Sequence, residues 1–364
     1  MSFHPFRSDR DDKAPMTSNT SSSTIPLSPT PARPLVVQHT LAPPDGRTKY
    51  VDIIVDGASP DVSIRYFTWK GALKADYDVL HVHWPELMIR GRNPLKRFAR
   101  RRALQVLVFR LKRKRIPIVR TLHNVTPHEE GSAAENRSLD LIDRSTSLYL
   151  RLNPTTELPT EAEAVTILHG HYIEKFARYP LPARVPGRIL YFGIIRPYKG
   201  VDLLLDAFRE LPGDDLTLRV VGSPSVGQRE LVEERAARDA RTSALLAYVD
   251  DDVLVSEIGQ AELVVLPYRE MHNSGAILVA LSLSRPALVP RSPANTALRQ
   301  EVGPGWVIEY DGELTPAVIA DALQTVRTVA ADTAPDLARR DWKVLGEEHA
   351  AAYRRAIEIA RATR

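Results

Sequence analysis

Leu190-Tyr-Phe-Gly-Ile-Ile-Arg-Pro-Tyr-Lys-Gly-Val-Asp-Leu-Leu-Leu-Asp-Ala-Phe208 reads as a buried strand, a polar loop and the opening of a helix. The run up to Phe192 is apolar at every position, as in a strand covered on both faces. Gly193 then lets a ligand approach the backbone closely. Arg196 and Lys199 put two cations where a helix begins, a combination that suits a diphosphate.

The same strand, loop and helix pattern extends in both directions. Apolar β-rich runs fall at Leu35–His39, Val62–Phe67, Val79–His83, Ile116–Leu122, Thr146–Leu150 and Ala164–Leu168. A second series falls at Arg188–Phe192, Leu216–Val221, Ala244–Val249, Leu263–Leu266, Ala287–Val289 and Trp306–Ile308. Helical stretches lie between them, such as Val201–Leu211, Gln228–Asp239, Gly275–Ser284 and Pro316–Ala330. Continuous apolar strands alternating with helices predict parallel sheets with helices on both faces. The proline-rich stretch Tyr179–Gly187 separates the two series and reads as a linker. The expected organisation is a tail over 1–33, a Rossmann-like domain over 34–180, a second over 181–335, and a closing helix over 336–364 that crosses back to the first domain. In such an α/β chain the ligand sites lie at the C-terminal strand ends, facing a cleft.

A second informative segment is Leu263-Val-Val-Leu-Pro-Tyr-Arg-Glu-Met-His-Asn-Ser-Gly-Ala-Ile-Leu278. A buried strand again runs into a polar loop, and a helix starts near Asn273 or Ser274, both good N-caps. The free N–H groups there make an anion site. Glu270 lies just ahead, where a carboxylate can accept hydroxyl hydrogen bonds from a sugar or stabilise the helix end. Ala280–Pro290 (ALSLSRPALVP) follows as helix, turn and strand.

The order FG-x-IRPYKG, LPY-x-E, NSGA and RP-x-LVP resembles the GT-B glycosyltransferases, over roughly residues 188–310. Weaker matches follow in the first half, at Asp78–Pro85, Thr121–Asn124 and Leu168–Tyr172. The resemblance implies two Rossmann-like domains, a nucleotide-diphosphate sugar on the second, an acceptor on the first, and no metal. It implies that Gly193, Arg196, Lys199, Tyr268, Asn273, Ser274 and Gly275 surround the donor and that Glu270 meets its sugar. Two departures stand out. Many retaining members carry Arg directly after the glycine, where this chain has Ile194, and a second Glu eight positions after the first, where it has Leu278. The combination of NSGA with ALS-x-x-RP-x-L is similar to bacterial enzymes that move mannose from GDP-mannose to a glycolipid. A donor-binding protein without catalysis, and transfer to a soluble acceptor, stand as alternatives.

An inverting transfer needs a base for the acceptor proton. His123, after Ile116–Leu122, and Glu86, after Val79–His83, sit where a cleft-facing base should be. His83, Asn124, His128 and Glu129 are candidates for binding the acceptor, and His169 and His171 for touching the donor. His81 and His83 alternate around Val82 and share one strand face. No third ligand has a matching spacing, so packing or acceptor binding is the better reading than a metal. Asp250–Asp252 formally spells D-x-D but reads as the N-cap of a helix over Val253–Gly259.

The chain has 364 residues, 43% of them hydrophobic, and room for two cores. Its lack of cysteine excludes thiolate metal sites, disulfides and a cysteine nucleophile. Of 49 basic residues, twelve fall within Arg90–Arg115, which has no acidic one, so the rest of the chain has 37 against 45 acidic. Leu104, Leu107, Val108 and Leu111 add a helical spacing within that stripe. A basic amphipathic helix predicts contact with an anionic membrane surface through Arg97, Phe98, Arg100, Arg101, Arg102, Lys112, Arg113, Lys114 and Arg115. No aromatic platform interleaves the arginines, which argues against nucleic acid. With no apolar run near the ~20 residues of a membrane span, the expected location is cytoplasmic, peripheral on the inner membrane face, with a lipid-linked saccharide as acceptor.

Overall fold

The computed structural model describes residues 33–44, 49–91, 93–123, 131–158, 161, 163–269, 274–328 and 333–362. By contact the chain divides into Met1–Arg33 and Pro34–Arg364, and the described strands and helices all lie in the second unit. Its first half runs β1 (Leu35–His39), α1 (Lys49–Asp56), β2 (Val62–Arg65), α2 (Trp69–Lys74), β3 (Val79–Val82), α3 (Pro85–Ile89), α4 (Pro94–Lys114), β4 (Ile118–Leu122), α5 (Ala133–Asp143), β5 (Thr146–Arg151), β6 (Ala164–Thr166) and α6 (Ile173–Phe176). The second runs β7 (Arg188–Phe192), α7 (Val201–Glu210), β8 (Thr217–Val221), α8 (Gln228–Ala236), β9 (Thr242–Leu245), α9 (Asp251–Gln260), β10 (Leu263–Val265), α10 (Gly275–Ser282), β11 (Ala287–Pro290), α11 (Pro293–Val302), β12 (Val307–Tyr310), α12 (Pro316–Thr328) and α13 (Trp342–Ala362).

The strands form two six-stranded sheets, ordered β2-β1-β3-β4-β5-β6 and β12-β11-β10-β7-β8-β9. Every pairing is parallel. Both are doubly wound, and in each the strand order reverses once, beside β1 and β3 in the first lobe and beside β7 and β10 in the second. Such switch points leave a crevice beyond the strand ends. β3 and β10 are buried at every residue, as strands covered on both faces must be. β9 starts and ends earlier than the apolar run Ala244–Val249 predicts. Its register with β8 pairs Leu218 with Thr242 and Val221 with Leu245, so it stops where its neighbour stops.

α4 is set by local chemistry. Asn93 Oδ1 accepts from the N–H groups of Leu95 and Lys96, Pro94 starts the helix, and Arg115 closes it at φ 55°. Its predicted apolar residues Leu104, Leu107, Val108 and Leu111 all lie in the core of the first lobe. The helical spacing read from the sequence is thus that of the buried face of α4.

The closing helix begins later than expected, at Trp342, after a 3-10 turn over Ala338–Arg340. It packs on α1 and on β3, β4 and β5 of the first lobe. Leu345, His349, Tyr353 and Ala356 recur on its buried face. Gly346 is needed there, because a Cβ would lie 2.0 Å from the Gly57 carbonyl oxygen.

Candidate active site

At the switch point of the second lobe, β7 is followed by Gly193 at φ 118°, a conformation that favours glycine. The Gly193 N–H donates to the Val221 carbonyl, and a Cβ on Gly222 would fall 1.8 Å from the Gly193 oxygen. The loop then turns through Pro197–Lys199 and Gly200, whose close approach to the Pro267 carbonyl leaves no room for a side chain. This joins the loop after β7 to the loop after β10. Lys199 Nζ donates to the Tyr268 hydroxyl at 2.9 Å and lies 4.3 Å from the centre of that ring. Tyr268 is also hydrogen-bonded to the side chain of Ser274. Burial and the nearby Arg196 guanidinium push the Lys199 ammonium down from its ordinary value, against an opposing pull from Tyr198. Two cations held this close favour an anion between them.

Ser274 occupies the N-cap position of α10, yet its side chain caps no helix N–H. Beyond it, a Cβ on Gly275 would stand 3.3 Å from the Tyr172 hydroxyl and 3.7 Å from His169 Nε2. His169 therefore reaches the helix start from the first lobe. It is held by Arg340, which donates to the His169 carbonyl and pairs with Glu301 at 2.7 Å. The His169 ring donates from Nδ1 to the Gly170 carbonyl, leaving Nε2 as the acceptor facing α10. Burial lowers its pKa to about 4. His171 is placed differently. It lines a cavity with Glu174, Lys175, Asp341 and Trp342, and its ring lies 3.4 Å from Glu174. Glu270 and Asn273 lie outside the described residues.

At the switch point of the first lobe the chemistry is different. His39 ends β1, His83 follows β3 and His123 follows β4. His123 Nε2 lies 3.1 Å from His83 Nδ1, and His83 Nε2 lies 3.1 Å from His39 Nδ1. His39 Nε2 lies 3.4 Å from the Tyr353 hydroxyl, which lies 2.8 Å from His81 Nδ1. His81 Nε2 lies 2.7 Å from Thr121 Oγ1. Four imidazoles and a phenol thus form one hydrogen-bonded file, with His123 as its cleft end. Trp84 stacks on His123 at 4.0 Å between ring centres, and Tyr50 meets it edge-on at 5.0 Å.

Burial lowers the pKa of His39 and His123 to about 3, with His349 adding to the first, and His169 and Arg120 to the second. His81 and His83 are pushed well down, first by burial and then by the neighbouring imidazoles. All are therefore neutral near pH 7. The nitrogens of His39, His81 and His83 lie within 4.8 Å of one another, as do ligand atoms of His171, Glu174 and Asp341. In the histidine trio each ring nitrogen already has a partner within the file, an arrangement of hydrogen bonds rather than of lone pairs converging on one point.

His83 is 1% exposed, so it stands behind His123 rather than at a ligand surface. Glu86 sits in the first turn of α3; burial pushes the Arg120 guanidinium on β4 down from its ordinary value, with Tyr149 and then Glu86 pulling the other way. Asn124, His128 and Glu129 lie outside the described residues. Sequence reading paired His81 with His83 by strand alternation. It passed over His39 and Tyr353, which come from other elements and carry no local signal.

On the outer face of α4, Leu95, Phe98, Val106 and Phe109 are exposed, the two phenylalanines at 53% and 60%. Arg102 and Arg113 lie over these two rings, 5.2 and 5.8 Å from their centres. Arg97, Lys112 and Arg115 are exposed and Arg101 is half-buried. Arg100 instead donates to the Arg90 carbonyl, and Lys114 to the carbonyls of Lys74 and Ala75. Among the described residues no helix is long and apolar enough to cross a membrane.

Comparison with known proteins agrees with this architecture. Residues 186–327 match the family model described as glycosyl transferases group 1. The chain is 44% identical over 340 residues to a GDP-mannose:glycolipid 4-beta-D-mannosyltransferase of Xanthomonas campestris pv. campestris, covering 92% of this chain and 97% of that one. A second enzyme of that description from the same pathovar is 43% identical with the same coverage. Among solved structures, Anabaena HepE in complex with UDP and glucose matches with a TM-score of 0.56 and 15% identity, covering 90% of this chain and 98% of that one. Sucrose-phosphate synthase from Thermosynechococcus elongatus matches with a TM-score of 0.54 and 12% identity, covering 90% and 97%. These last two likenesses speak for the GT-B fold alone. With identity to the two Xanthomonas enzymes running along nearly their whole length, and the family model matching its second lobe, the chain belongs to the group 1 glycosyltransferases.

Proposed function

We propose that this glycosyltransferase moves mannose from GDP-mannose to the saccharide of a glycolipid, forming a β-linkage. The observation that carries the reading is the 44% identity to an enzyme of that description across 97% of its length. GDP-mannose carries an α-linked sugar, so a β-linked product requires inversion. The acceptor oxygen then attacks C1 with its own electron pair while the C1–O bond to the diphosphate breaks. The acceptor proton goes to His123, and the pair from the broken bond leaves with GDP. Lys199, Arg196 and the N–H groups at the start of α10 meet the charge that develops on the diphosphate. Leu278, where retaining relatives carry a second carboxylate, is buried and offers no polar group.

The glycolipid acceptor and the outer face of α4 together support an anionic membrane surface as the working site. Exposed phenylalanines with arginines stacked on them can enter the headgroup layer while the cations meet phosphate.

A thermal-shift panel with GDP, UDP, ADP and dTDP tests the donor. A nucleotide at 100 times its dissociation constant should stabilise the fold by about 2.7 kcal/mol. A shift with GDP alone is expected, followed by transfer from GDP-mannose to a glycolipid with a β-anomeric product by NMR. A shift with UDP alone, or an α-anomeric product, would overturn the reading.

A further inference from the structure

The first lobe holds a cavity of about 540 Å³ between α3, α4 and α5. It is lined by Ile89 and Arg90 at the end of α3, Arg97 and Arg101 on α4, and Ser132 and Glu135 at the start of α5. Its charge is one-sided, because three guanidiniums face one carboxylate. Arg90 Nε donates to Glu135 Oε1 at 2.7 Å and so takes up that carboxylate. The Ser132 hydroxyl accepts from the Glu135 N–H and fixes the wall made by α5. Arg100 donates to the Arg90 carbonyl and ties the turn between α3 and α4 to the helix. Among the described residues, no hydrogen bond or ion pair engages the guanidinium of Arg97 or Arg101.

The cavity stands between the lipid-facing stripe and the first-lobe crevice. Arg97 and Arg101 share one face of α4 by their i, i+4 spacing. Each lies one residue, hence about 100°, round the helix from Phe98 and Arg102, which belong to the exposed stripe. On the other side, α3 runs from Trp84, stacked on His123, to Arg90, about 7.5 Å along the helix. A glycolipid with its chain on the stripe and its sugar at His123 therefore passes this cavity with the segment that joins the two.

We propose that Arg97 and Arg101, with Arg90 held beside them by Glu135, bind a phosphate that joins lipid to saccharide in the acceptor. The proposal rests on the reading of the chain as a transferase acting on a glycolipid. Guanidinium forks match phosphate oxygens in pairs, and three guanidiniums less one carboxylate leave two positive charges for the phosphate to neutralise. The stripe can rest on any anionic surface. The cavity holds one group in one place, and so sets how far the saccharide reaches toward His123.

The test is calorimetric titration of the full chain with dodecyl phosphate below its critical micelle concentration. GDP is kept saturating, so that the cations of the second lobe are occupied. Saturable one-to-one binding is expected. The double variant Arg97→Gln with Arg101→Gln should weaken it at least about tenfold, the worth of one charge-assisted hydrogen bond. Arg102→Gln with Arg113→Gln removes as much charge from the stripe and should change it by less than about twofold. Binding to phosphatidylglycerol vesicles should show the opposite order, with the stripe variant the weaker.

No saturable binding, or equal weakening in the two double variants, would overturn the pocket. Inorganic phosphate binding as tightly as dodecyl phosphate would make it a site for free phosphate and overturn the acceptor assignment. Vesicle binding lost mainly in the Arg97 and Arg101 variant would give the pocket to bulk lipid headgroups, with the same consequence. The GDP thermal shift keeps this apart from the donor reading. A shift retained in the Arg97 and Arg101 variant shows that its fold and second lobe are intact, so the lost dodecyl phosphate binding belongs to the pocket. Absence of the shift in the unaltered protein would overturn the donor reading, while the titration, repeated without GDP on the two double variants, would still decide the pocket.

Discussion

The two lobes offer the same kind of crevice and fill it with opposite chemistry. In the second lobe the strand ends carry Lys199 and Arg196 beside the opening turn of α10, a place made for negative charge. In the first lobe they carry His39, His83 and His123, all neutral and all in contact with another ring. The topology selects where a ligand sits, and the side chains at the strand ends decide what it is. The proposed inverting transfer uses both kinds of crevice. The leaving diphosphate wants fixed positive charge, and the acceptor hydroxyl wants a base that is unprotonated at working pH.

Removing one residue from each crevice should separate these duties. His123→Gln should lower kcat by about 10²- to 10⁴-fold, the usual value of a positioned base, and leave the thermal shift with GDP intact. Lys199→Ala should lower transfer by about 10²- to 10³-fold, as the loss of one donor to a developing anion does. It should also shrink the GDP shift. If His123→Gln lost the shift and Lys199→Ala kept it, the assignment of donor and acceptor to the two lobes would be reversed.

The neutral crevice should also make the fold sensitive to acid. The pKa values of His39 and His349 are lowered to about 3 and about 4, chiefly by burial, against 6.5 for the exposed ring. Below pH 6.5 the unfolded chain takes up protons that the folded chain refuses, so stability falls as pH falls. Each such ring contributes about 1.4 kcal/mol per pH unit until its folded pKa is reached. The midpoint of thermal unfolding should therefore drop steadily from pH 7 to pH 5. A flat midpoint over that range would mean that these rings are wet or charged in the fold.

The second lobe is far more legible in the sequence than the first. The ends of β7 and β10, the glycine after β7, the cation pair and the start of α10 all lie within two contiguous segments, where spacing carries the information. The first lobe gathers its site from β1, β3, β4 and α13, with Tyr353 bonded to His81 across 272 positions. A partner that distant leaves no periodic trace. Alternation could place His81 and His83 on one face, but nothing local ties His39 to them. The apolar spacing of α4 is legible as a helix but does not by itself say what that helix packs against. A helix against a sheet and a helix against a lipid show the same period, and only packing tells which side is which.

That last distinction has a smaller but sharper consequence. The outer face of α4 puts charge on the surface of the lobe whose strand ends carry neutral histidines, and its cations are not equivalent. Arg102 and Arg113 stand over exposed phenylalanines, whereas Lys114 donates to two carbonyls that end α2. A cation beside an anionic bilayer contributes about 1 kcal/mol before screening. Arg102→Gln and Arg113→Gln should thus each weaken binding to vesicles rich in phosphatidylglycerol by about fivefold at low salt. The effect should shrink as ionic strength rises. Lys114→Gln should change vesicle binding much less and lower the thermal midpoint instead, because it removes an interaction within the protein. Equal effects of all three on vesicle binding would mean that the membrane reads net charge alone. Loss confined to Arg102 and Arg113 would mean that one face of the helix lies on the lipid.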